Sequence, residues 1–385
     1  MRILFYATNG LGLGHVTRLL AISRAVARRD PRHERLFLTR CDAGPYPDPL
    51  DPFTIRIPGA SRARKAGLTP KSYFQTAHPL LWQTVSSFDP HLMVVDTFPE
   101  GPEEELAPLM RWPIRKVFIY RDSRKEAFPN GAIPSLFAPY SLIIVAHEEG
   151  SVTLPEALSR DVRVHFSGPI TDGGPTRETR EDLRRRLGLS EGERAAIVTL
   201  GGGGDGETLP VLDRVAKELR GRGVTVFAAT GPLSRTIPDA ITAREWFPVW
   251  PLSPWLSAFD LAVGSGGYNT VTELSLSGLP TLLIPFLRDT DDQTKRVEEA
   301  LCQGWAIKVE NRQEIPAGID RLLRMGRLPG RSEAGGGGAD RAAELLLSLS
   351  PGLSPGGPPG EAAGRGSAGD PGSPPASHKM STTPP

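Results

Sequence analysis

Short apolar runs alternate with segments of helical periodicity along most of the chain. In the N-terminal half these runs lie at residues 3–7, 36–38, 92–95, 117–120 and 142–146. The first run is followed by residues 15–28, where apolar side chains recur at helical spacing. The second half repeats the plan, with apolar runs at residues 195–200 and 224–229 on either side of a predicted helix over residues 209–220. Strands that alternate with helices predict an α/β fold with parallel sheets covered by helices on both faces.

A cluster of turn-forming residues divides this pattern into two halves. Residues 167–175 are rich in proline, glycine, serine, threonine and aspartate, and a charged predicted helix over residues 177–187 follows them. We therefore predict an N-terminal domain over residues 1–168 and a C-terminal domain over residues 169–331. Residues 45–75 show little pattern and are rich in proline, arginine and glycine, which predicts loops.

The end of the chain differs in composition from the rest. Residues 332–349 contain a glycine tract and one predicted helix, over residues 339–349. Proline and glycine make up nearly half of residues 350–385. Such a sequence buries too little apolar surface to offset the conformational entropy of the chain. We predict a disordered tail there that carries no chemistry.

The composition excludes several classes of protein. With 385 residues and a net charge of +1, the chain is long enough for two domains and lacks the basic excess typical of nucleic-acid-binding proteins. Cys41 and Cys302 are its only cysteines and do not have the spacing of a zinc site. The first apolar run is too short for a signal peptide, and no run reaches the roughly 20 apolar residues of a membrane span. We predict a cytoplasmic protein with no metal and no cofactor, for which contact with a membrane surface stays open.

The most informative segment lies in the second half. An apolar strand ending at Val263 runs into Gly264-Ser265-Gly266-Gly267, and a helix is predicted to begin at about Asn269 or Thr270. Backbone N–H groups at such a helix start, where glycine lets a ligand approach, bind anions such as a diphosphate. Glu273 lies one turn further on, where a carboxylate can accept hydrogen bonds from a ribose. Asp292 and Gln293 follow the next apolar strand, and ligands of open α/β sheets bind at such strand ends.

These residues resemble the C-terminal half of GT-B glycosyltransferases of the MurG type, and more distantly the plant and macrolide glycosyltransferases. The resemblance implies a GT-B fold, in which two Rossmann-like domains face each other across a cleft and a C-terminal helix often crosses back to the N-terminal domain. It also implies a metal-independent, inverting transfer of a sugar from a nucleotide-diphosphate donor, most often a UDP-sugar, to a hydroxyl acceptor.

The resemblance also implies roles for individual residues. Gly266 and Gly267 would hold the diphosphate beside Asn269, Glu273 would hold the ribose, and Asp292 and Gln293 would hold the donor sugar. MurG has two glutamines at the last pair, whereas this chain has Asp-Gln as the plant enzymes do. The identity of the sugar is therefore open.

Two further segments are candidates for the donor site. Four glycines follow the strand over residues 195–200, and the backbone of Gly202 and Gly203 would form a second cradle for phosphate. Residues 246–252 supply aromatic and apolar surface, and backbone groups near Phe247 and Val249 are candidates for reading the nucleobase edge. Uracil and thymine present nearly the same edge, so UDP and TDP cannot be distinguished here.

A candidate catalytic base lies in the first glycine loop. His15 follows Gly10-Leu11-Gly12-Leu13-Gly14 at the start of the first predicted helix, and we place Gly12 and Gly14 in the acceptor-side loop. A helix N-terminus disfavours the imidazolium, so the ring stays neutral and able to accept a proton. MurG-like and plant-like enzymes carry a histidine in the matching loop. Asp96, at the end of a predicted strand, is the candidate to orient His15, with Asp122 as its competitor.

Other interpretations of these residues stay open. Thr270 and Glu273 also match a capping box, in which Glu273 would bond to the backbone of its own helix. Asp289 and Asp291 match an Asp-x-Asp metal motif, although the acidic run is better explained as a solvated loop or as sugar contacts. The Gly-x-Gly-x-Gly spacing before His15 departs from the dinucleotide fingerprint, which makes an NAD site the less favoured alternative.

The function has two alternatives on the same fold. UDP-N-acetylglucosamine 2-epimerases also carry a Ser-Gly-Gly loop followed by a glutamate, which Ser265 to Gly267 match, and a protein that binds nucleotide sugars without turnover would use the same loops. The acceptor is not identified by any motif, although we expect residues 45–75 and 121–139 to face it. It is an unknown hydroxyl compound for which a lipid-linked molecule is one possibility, and no nucleic acid partner is expected.

Overall fold

The computed structural model of the protein describes most of the chain. The described residues are 1–8, 13–40, 52–122, 133–171, 178–201, 208–229, 241–242, 245–287, 291–328 and 337–350. Gly12, Gly202, Gly203, Asp289 and the predicted tail from residue 351 onward lie outside them, and so do the predictions made for them.

Two parallel sheets organise the described residues. The first has seven strands in the order β3-β2-β1-β4-β5-β6-β7. Its strands are β1 (Arg2–Thr8), β2 (Glu34–Arg40), β3 (Phe53–Arg56), β4 (Leu92–Asp96), β5 (Arg115–Tyr120), β6 (Leu142–Val145) and β7 (Val164–Phe166). All of its neighbouring strands pair in parallel. Both faces of this sheet are covered, because alternate residues of β1 belong to two different core clusters.

The second sheet has five strands in the order β12-β11-β10-β8-β9. Its strands are β8 (Ala195–Thr199), β9 (Thr225–Ala228), β10 (Leu261–Ser265), β11 (Thr281–Ile284) and β12 (Ala306–Lys308). They also pair in parallel. Strand β10 is central and wholly buried, with β8 and β11 on either side. The prediction of an α/β fold with parallel sheets is therefore confirmed. The domain boundary between residues 168 and 169 stays a prediction.

Helices connect the strands and cover both sheets. They are α1 (Gly14–Arg29), α2 (Ala60–Lys65), α3 (Pro70–Phe88), α4 (Ile133–Phe137), α5 (Glu156–Ser159), α6 (Arg180–Arg186), α7 (Thr208–Arg220), α8 (Tyr268–Ser277), α9 (Gln293–Cys302), α10 (Ile315–Arg324) and α11 (Gly338–Leu347). Short 3-10 helices span Ala107–Arg111, Ser253–Ala258 and Arg312–Glu314. Within the described part of the chain, no helix is long and apolar enough to span a membrane.

The last described helix packs on the first. The buried face of α11, made by Ala339, Ala342, Ala343 and Leu346, shares one core cluster with α1 and β1. Arg29 of α1 donates to Glu344 at 2.8 Å. A Cβ atom at Gly338 would lie 2.0 Å from the carbonyl oxygen of Pro169. Glycine therefore allows α11 to begin in close contact with the backbone at Pro169. The chain thus returns to its N-terminal half.

The prediction of loops over residues 45–75 was wrong for its second part. This segment contains β3, α2 and the first turns of α3. Strand β3 was missed because it is a short edge strand that pairs only with β2 and lies partly exposed. In α3, Tyr73, Ala77, Leu81 and Val85 are buried at four-residue spacing, a helical signal that begins near the end of the predicted loop.

Candidate active site

The carboxyl end of β10 leads into a helix start with no side-chain cap. Helix α8 begins at Tyr268, slightly before the predicted start, with Gly267 at its N-cap position and no side-chain hydrogen bond to its first turn. The first N–H groups of such a helix have no partner within the helix, and the helix dipole favours negative charge there. This junction has the local chemistry of an anion site.

The two glycines of this junction serve different purposes. A Cβ at Gly266 would lie 2.8 Å from both the Cβ and the carbonyl oxygen of Gln293, so Gly266 is required for the close approach of α9. A Cβ at Gly267 would meet no atom closer than 3.5 Å, at Ser265 Oγ. Gly266 is therefore explained by packing alone, whereas packing does not require glycine at position 267.

Glu273 lies in α8, one turn after the junction. Its side chain is buried, with 9% of the residue exposed. Because α8 begins at Tyr268, Thr270 is inside the first turn and not at the N-cap. The capping-box interpretation of Thr270 and Glu273 is therefore wrong, since it needs Thr270 outside the helix. The proposed ribose contact of Glu273 stays a prediction.

Asp292 and Gln293 begin α9 and already have partners inside the protein. Asp292 Oδ1 is the N-cap acceptor for the Lys295 N–H at 3.1 Å. Gln293 Oε1 accepts from the Phe286 N–H at 3.0 Å, and its Nε2 lies 3.4 Å from Asp291 Oδ2. The capping role of Asp292 was not predicted. A sugar would replace or share these contacts, so the sugar-binding role of this pair stays a prediction.

At the nucleobase segment, the backbone is also occupied. The Phe247 N–H donates to the Ala228 carbonyl at 2.9 Å, and the Val249 N–H donates to the Phe247 carbonyl at 2.8 Å. The Phe247 ring packs edge-on against the Trp255 ring at a centroid distance of 5.2 Å. Neither N–H is available for a base edge in this arrangement, and the role of this segment in base recognition stays a prediction.

At the first sheet, His15 and Asp96 come together as predicted from their strand and helix ends. His15 Nδ1 lies 2.9 Å from Thr97 Oγ1 and 3.4 Å from Asp96 Oδ2. Thr97 also donates to Asp96 Oδ1 at 2.8 Å and has a φ of +66°, a conformation that few threonines adopt. The alternative orienting residue, Asp122, is bound instead to Lys295 at 2.8 Å. Among the described carboxylates, Asp96 is thus the one in contact with His15.

The charge state of this pair suits proton transfer. Burial lowers the pKa of His15; Asp96 opposes this shift, while Arg121 and Arg18 add to it. Burial alone would raise the pKa of Asp96, but the charge of Arg18 and the contact with His15 hold it below its usual value. Near neutral pH the pair is therefore an imidazole beside a carboxylate. With Nδ1 turned to Asp96, the proton on the ring is assigned to Nδ1 and Nε2 becomes the proton acceptor.

The helix starts of the two halves meet. Asn269 Nδ2 donates to the Gly14 carbonyl at 3.3 Å, and the Trp250 indole donates to Thr17 Oγ1 at 2.9 Å. The Tyr268 hydroxyl donates to the carbonyl of Ala146, which follows β6. The structure therefore brings Gly14 and Asn269 together beside His15, although they are 255 residues apart in sequence.

The structure adds charged residues that the sequence reasoning did not select. Arg18, 1% exposed, lies 3.2 Å from Asp96 and stands over the Tyr268 ring at 5.0 Å. Asp291 Oδ1 accepts from Arg121 at 3.0 Å and from Arg296 at 2.9 Å. The available signal was positional, since Arg18 follows His15 by one helical turn and Arg296 follows Gln293 by one turn. Two guanidinium groups therefore share Oδ1 of Asp291, and the expectation of no metal at Asp289 and Asp291 stays a prediction.

The chain is similar in sequence to known glycosyltransferases. Over 360 residues the chain is 28% identical to the UDP-N-acetylglucosamine--N-acetylmuramyl-(pentapeptide) pyrophosphoryl-undecaprenol N-acetylglucosamine transferase of Moorella thermoacetica, covering 85% of this chain and 88% of that protein. The equivalent transferase of Cutibacterium acnes is 26% identical over 224 residues, which is 53% of this chain and 59% of that protein. The chain is MurG-like along most of its length. No protein-family profile matches it.

Solved structures establish the fold of this MurG-like protein. The Streptomyces sp. SF2575 glycosyltransferase SsfS6, complexed with thymidine diphosphate, superposes with a TM-score of 0.57 at 15% identity, over 91% of this chain and 96% of that one. The UDP-GlcNAc 2-epimerase from Methanocaldococcus jannaschii superposes with a TM-score of 0.54 at 13% identity, over 90% and 99%. The predicted GT-B fold is confirmed, and the relatives support nucleotide-sugar glycosyl transfer as the enzyme class.

Proposed function

We propose that the protein is a metal-independent inverting glycosyltransferase that moves a sugar from a nucleotide-diphosphate donor to a hydroxyl acceptor. The observation that carries this proposal is the meeting of two helix starts. The start of α1 presents His15 with Asp96 behind it, and the start of α8 presents N–H groups without a side-chain cap. A base and an anion site that face each other are what displacement of a diphosphate by a hydroxyl requires.

The proposed reaction proceeds in one displacement. His15 Nε2 takes the proton of the acceptor hydroxyl as its oxygen bonds to the anomeric carbon. The bond between that carbon and the donor phosphate oxygen breaks, and the nucleotide diphosphate leaves with the electron pair. The N–H groups at the start of α8 stabilise the developing negative charge. Attack opposite the leaving group inverts the anomeric configuration.

The donor is proposed to be a UDP-sugar. The relatives are named for UDP-N-acetylglucosamine, whereas two of the solved neighbours hold thymidine diphosphate. In the proposed site Glu273 accepts hydrogen bonds from the ribose, and Gln293 with Asp292 contacts the sugar. Gly202 and Gly203, which lie outside the described residues, are proposed as further phosphate ligands. A direct measurement of UDP and TDP binding would distinguish the two donors.

For the acceptor we propose a lipid-linked hydroxyl compound met at the cytoplasmic face of a membrane. The relatives are named for a pyrophosphoryl-undecaprenol acceptor. The segment from α2 into α3 supports this, because residues 52–88 contain no aspartate or glutamate. Arg62, Arg64, Lys65 and Lys71 are exposed there, and Leu80 is 53% exposed. Basic side chains around exposed apolar ones suit an anionic membrane surface.

The experiment that tests the function combines donor and acceptor panels. The purified protein is incubated in EDTA with UDP- and TDP-sugars and with a short-chain polyprenyl-pyrophosphoryl saccharide or a macrolide aglycone. We expect one pairing to yield a glycosylated product, detected by mass spectrometry, with an equal amount of free nucleotide diphosphate. Loss of all turnover in EDTA and its return with manganese would contradict metal independence.

The alternative function is epimerisation of the donor sugar. The Ser265-Gly266-Gly267 loop and the similarity to the archaeal epimerase structure support it. It predicts release of UDP, or conversion of the donor sugar, without any acceptor. The same incubation with the acceptor left out separates the two functions. If the protein only bound nucleotide sugars, neither incubation would yield product.

A further inference from the structure

Two buried arginines and one partly buried arginine lie around one tyrosine, Tyr268. Arg18 and Arg296 stand over the Tyr268 ring, with their guanidinium carbons 5.0 and 5.8 Å from its centroid. Arg121, at the end of β5, reaches Asp291, which Arg296 also binds. We call Arg18, Arg121 and Arg296 the arginine cluster. It adjoins His15 on one side and the start of α9, with Gln293, on the other.

The positive charge of this cluster exceeds the negative charge around it. Asp96 pairs with Arg18, and Asp291 is shared by Arg121 and Arg296, which leaves two carboxylates for three guanidinium groups. Lys295 and Asp122 form a separate, neutral pair beside them. The excess acts on His147, whose ring packs against Tyr268: burial and the four nearby cations lower its pKa to about 3. His147 therefore adds no charge at neutral pH.

Donor groups of the cluster are also unused. Arg18 Nη1 and Arg121 Nε are buried and have no hydrogen-bond partner among the described residues. Arg18 is 1% exposed and Arg121 is 8% exposed. A buried N–H without a partner costs free energy comparable to a lost hydrogen bond, and more when the group is charged. Such groups are rare in native proteins and need an explanation, and a bound anion is one that fits two charged donors.

We propose that the arginine cluster binds an anionic substituent of a substrate, a carboxylate or a phosphate group, next to the reacting centre. Guanidinium groups suit this task because their planar N–H pairs match the oxygens of both anions. Asp291 holds Arg121 and Arg296 when the substituent is absent. The proposal rests on the proposed function for the identity of the centre, and it adds that the substrate carries a second negative charge there besides the nucleotide diphosphate.

Two sources of the substituent are compatible with this position. Gln293 and Asp292 lie beside Arg296, so the anion can belong to the donor sugar, as in a uronate. His15 and Asp96 lie beside Arg18, so it can instead belong to the acceptor, as a phosphate near the reacting hydroxyl. Both sources share the chemistry that the cluster recognises, and inorganic phosphate is a probe for either.

The test is a calorimetric titration of the full chain, saturated with UDP-glucose, with inorganic phosphate at low ionic strength. We expect phosphate to bind, and Arg121→Gln and Arg296→Gln each to weaken it at least 10-fold while UDP affinity changes less than 3-fold. Arg222→Gln is the matched control, because Arg222 also binds two carboxylates, Asp320 and Glu218, but lies in the turn after α7. It should leave phosphate binding unchanged.

A second titration identifies the source. UDP-glucuronate differs from UDP-glucose by a carboxylate at the sugar. If the donor carries the anion, UDP-glucuronate binds more tightly than UDP-glucose in the wild type, loses that advantage in Arg296→Gln, and excludes phosphate. If the acceptor carries it, phosphate binds equally well in the presence of either nucleotide sugar.

The outcomes separate this inference from the proposed function. Absence of phosphate binding, or binding that is equal in wild type and both variants, overturns the inference even when UDP binds. Absence of UDP binding with phosphate binding intact overturns the proposed donor site and leaves the anion site standing. Arg121→Lys keeps the positive charge but loses the planar guanidinium group, so it should retain part of the phosphate affinity. It replaces Arg121→Gln if that variant does not fold.

Discussion

The two glycine-rich junctions of the molecule have the same architecture and different chemistry. In each, a buried parallel strand precedes a helix and the sequence between them is rich in glycine, β1 to α1 in the first sheet and β10 to α8 in the second. The first junction has a histidine on the opening turn and a buried carboxylate behind it. The second has no titratable side chain on its opening turn except a buried tyrosine. Both helix starts lack a side-chain cap, so the difference lies in the histidine and the carboxylate of the first.

This difference shows how one βα unit supports two tasks. A helix start with a histidine and a carboxylate moves a proton, whereas a helix start that offers only N–H groups holds charge. Asn269 joins the two helix starts through its hydrogen bond to the Gly14 carbonyl. We therefore propose that proton transfer takes place at the N-terminal junction and donor binding at the C-terminal one.

The largest effect is expected from His15→Ala. Without the imidazole no group is in place to take the proton of the acceptor, and turnover should fall by about 100-fold or more. Donor affinity should stay the same, because the diphosphate is held by the other junction. Steady-state kinetics and donor binding are the measurements, with the exposed His165→Ala as a control. Wild-type turnover in His15→Ala would show that another group is the base.

Glu273→Ala should affect the other junction. We expect the loss of a charge-assisted hydrogen bond to weaken nucleotide binding by about 1.5–3 kcal/mol. Calorimetry with UDP measures this, and Glu299→Ala, at an exposed glutamate of α9, is the control. A variant that melts earlier but binds UDP normally would assign Glu273 to a structural role.

Gly266→Ala and Gly267→Ala should separate packing from ligand approach. The added methyl of Gly266→Ala lies 2.8 Å from Gln293 and should destabilise the fold by about 1–3 kcal/mol through overpacking. Gly267→Ala should leave the melting temperature nearly unchanged and reduce nucleotide affinity, since its methyl would stand where the ligand approaches. Thermal and chemical denaturation with parallel UDP titrations give both quantities. Equal loss of stability in the two variants would refute the distinction.

The smallest expected effect is a displacement of the pH profile. Activity needs neutral His15, whose pKa is lowered chiefly by burial, so kcat/KM should be level above about pH 6.5 and fall as the pH drops through that lowered pKa. Asp96 raises the pKa of His15, so Asp96→Asn should move the acid limb to lower pH as well as reduce the rate. Displacement of the limb to higher pH would contradict the assigned pair.

Much of this comparison could be predicted from the sequence. Apolar runs and helical spacing located both junctions in the sequence. The carboxyl ends of parallel strands lie at one edge of a sheet, and this rule placed His15 near Asp96. The resemblance carried by Gly266, Gly267 and Glu273 indicated the fold.

The remainder depends on contacts that no local pattern encodes. Arg121 and Asp291 are 170 residues apart, so their ion pair follows from the packing of the two halves and not from spacing. Gly266 was assigned to the ligand, whereas its nearest neighbours belong to α9. Asp292 was assigned to the sugar, and its capping of α9 became visible only once the helix start was known.

The division of tasks between the two junctions is tested most directly by one thermal-shift titration of wild type, His15→Ala and Glu273→Ala with UDP. A ligand that binds the native state raises the melting temperature, and the rise grows with the logarithm of the ratio of ligand concentration to Kd. The account predicts equal shifts for wild type and His15→Ala and a much smaller shift for Glu273→Ala. No shift in the wild type, or equal shifts in all three proteins, would contradict the assignment of donor binding to the C-terminal junction.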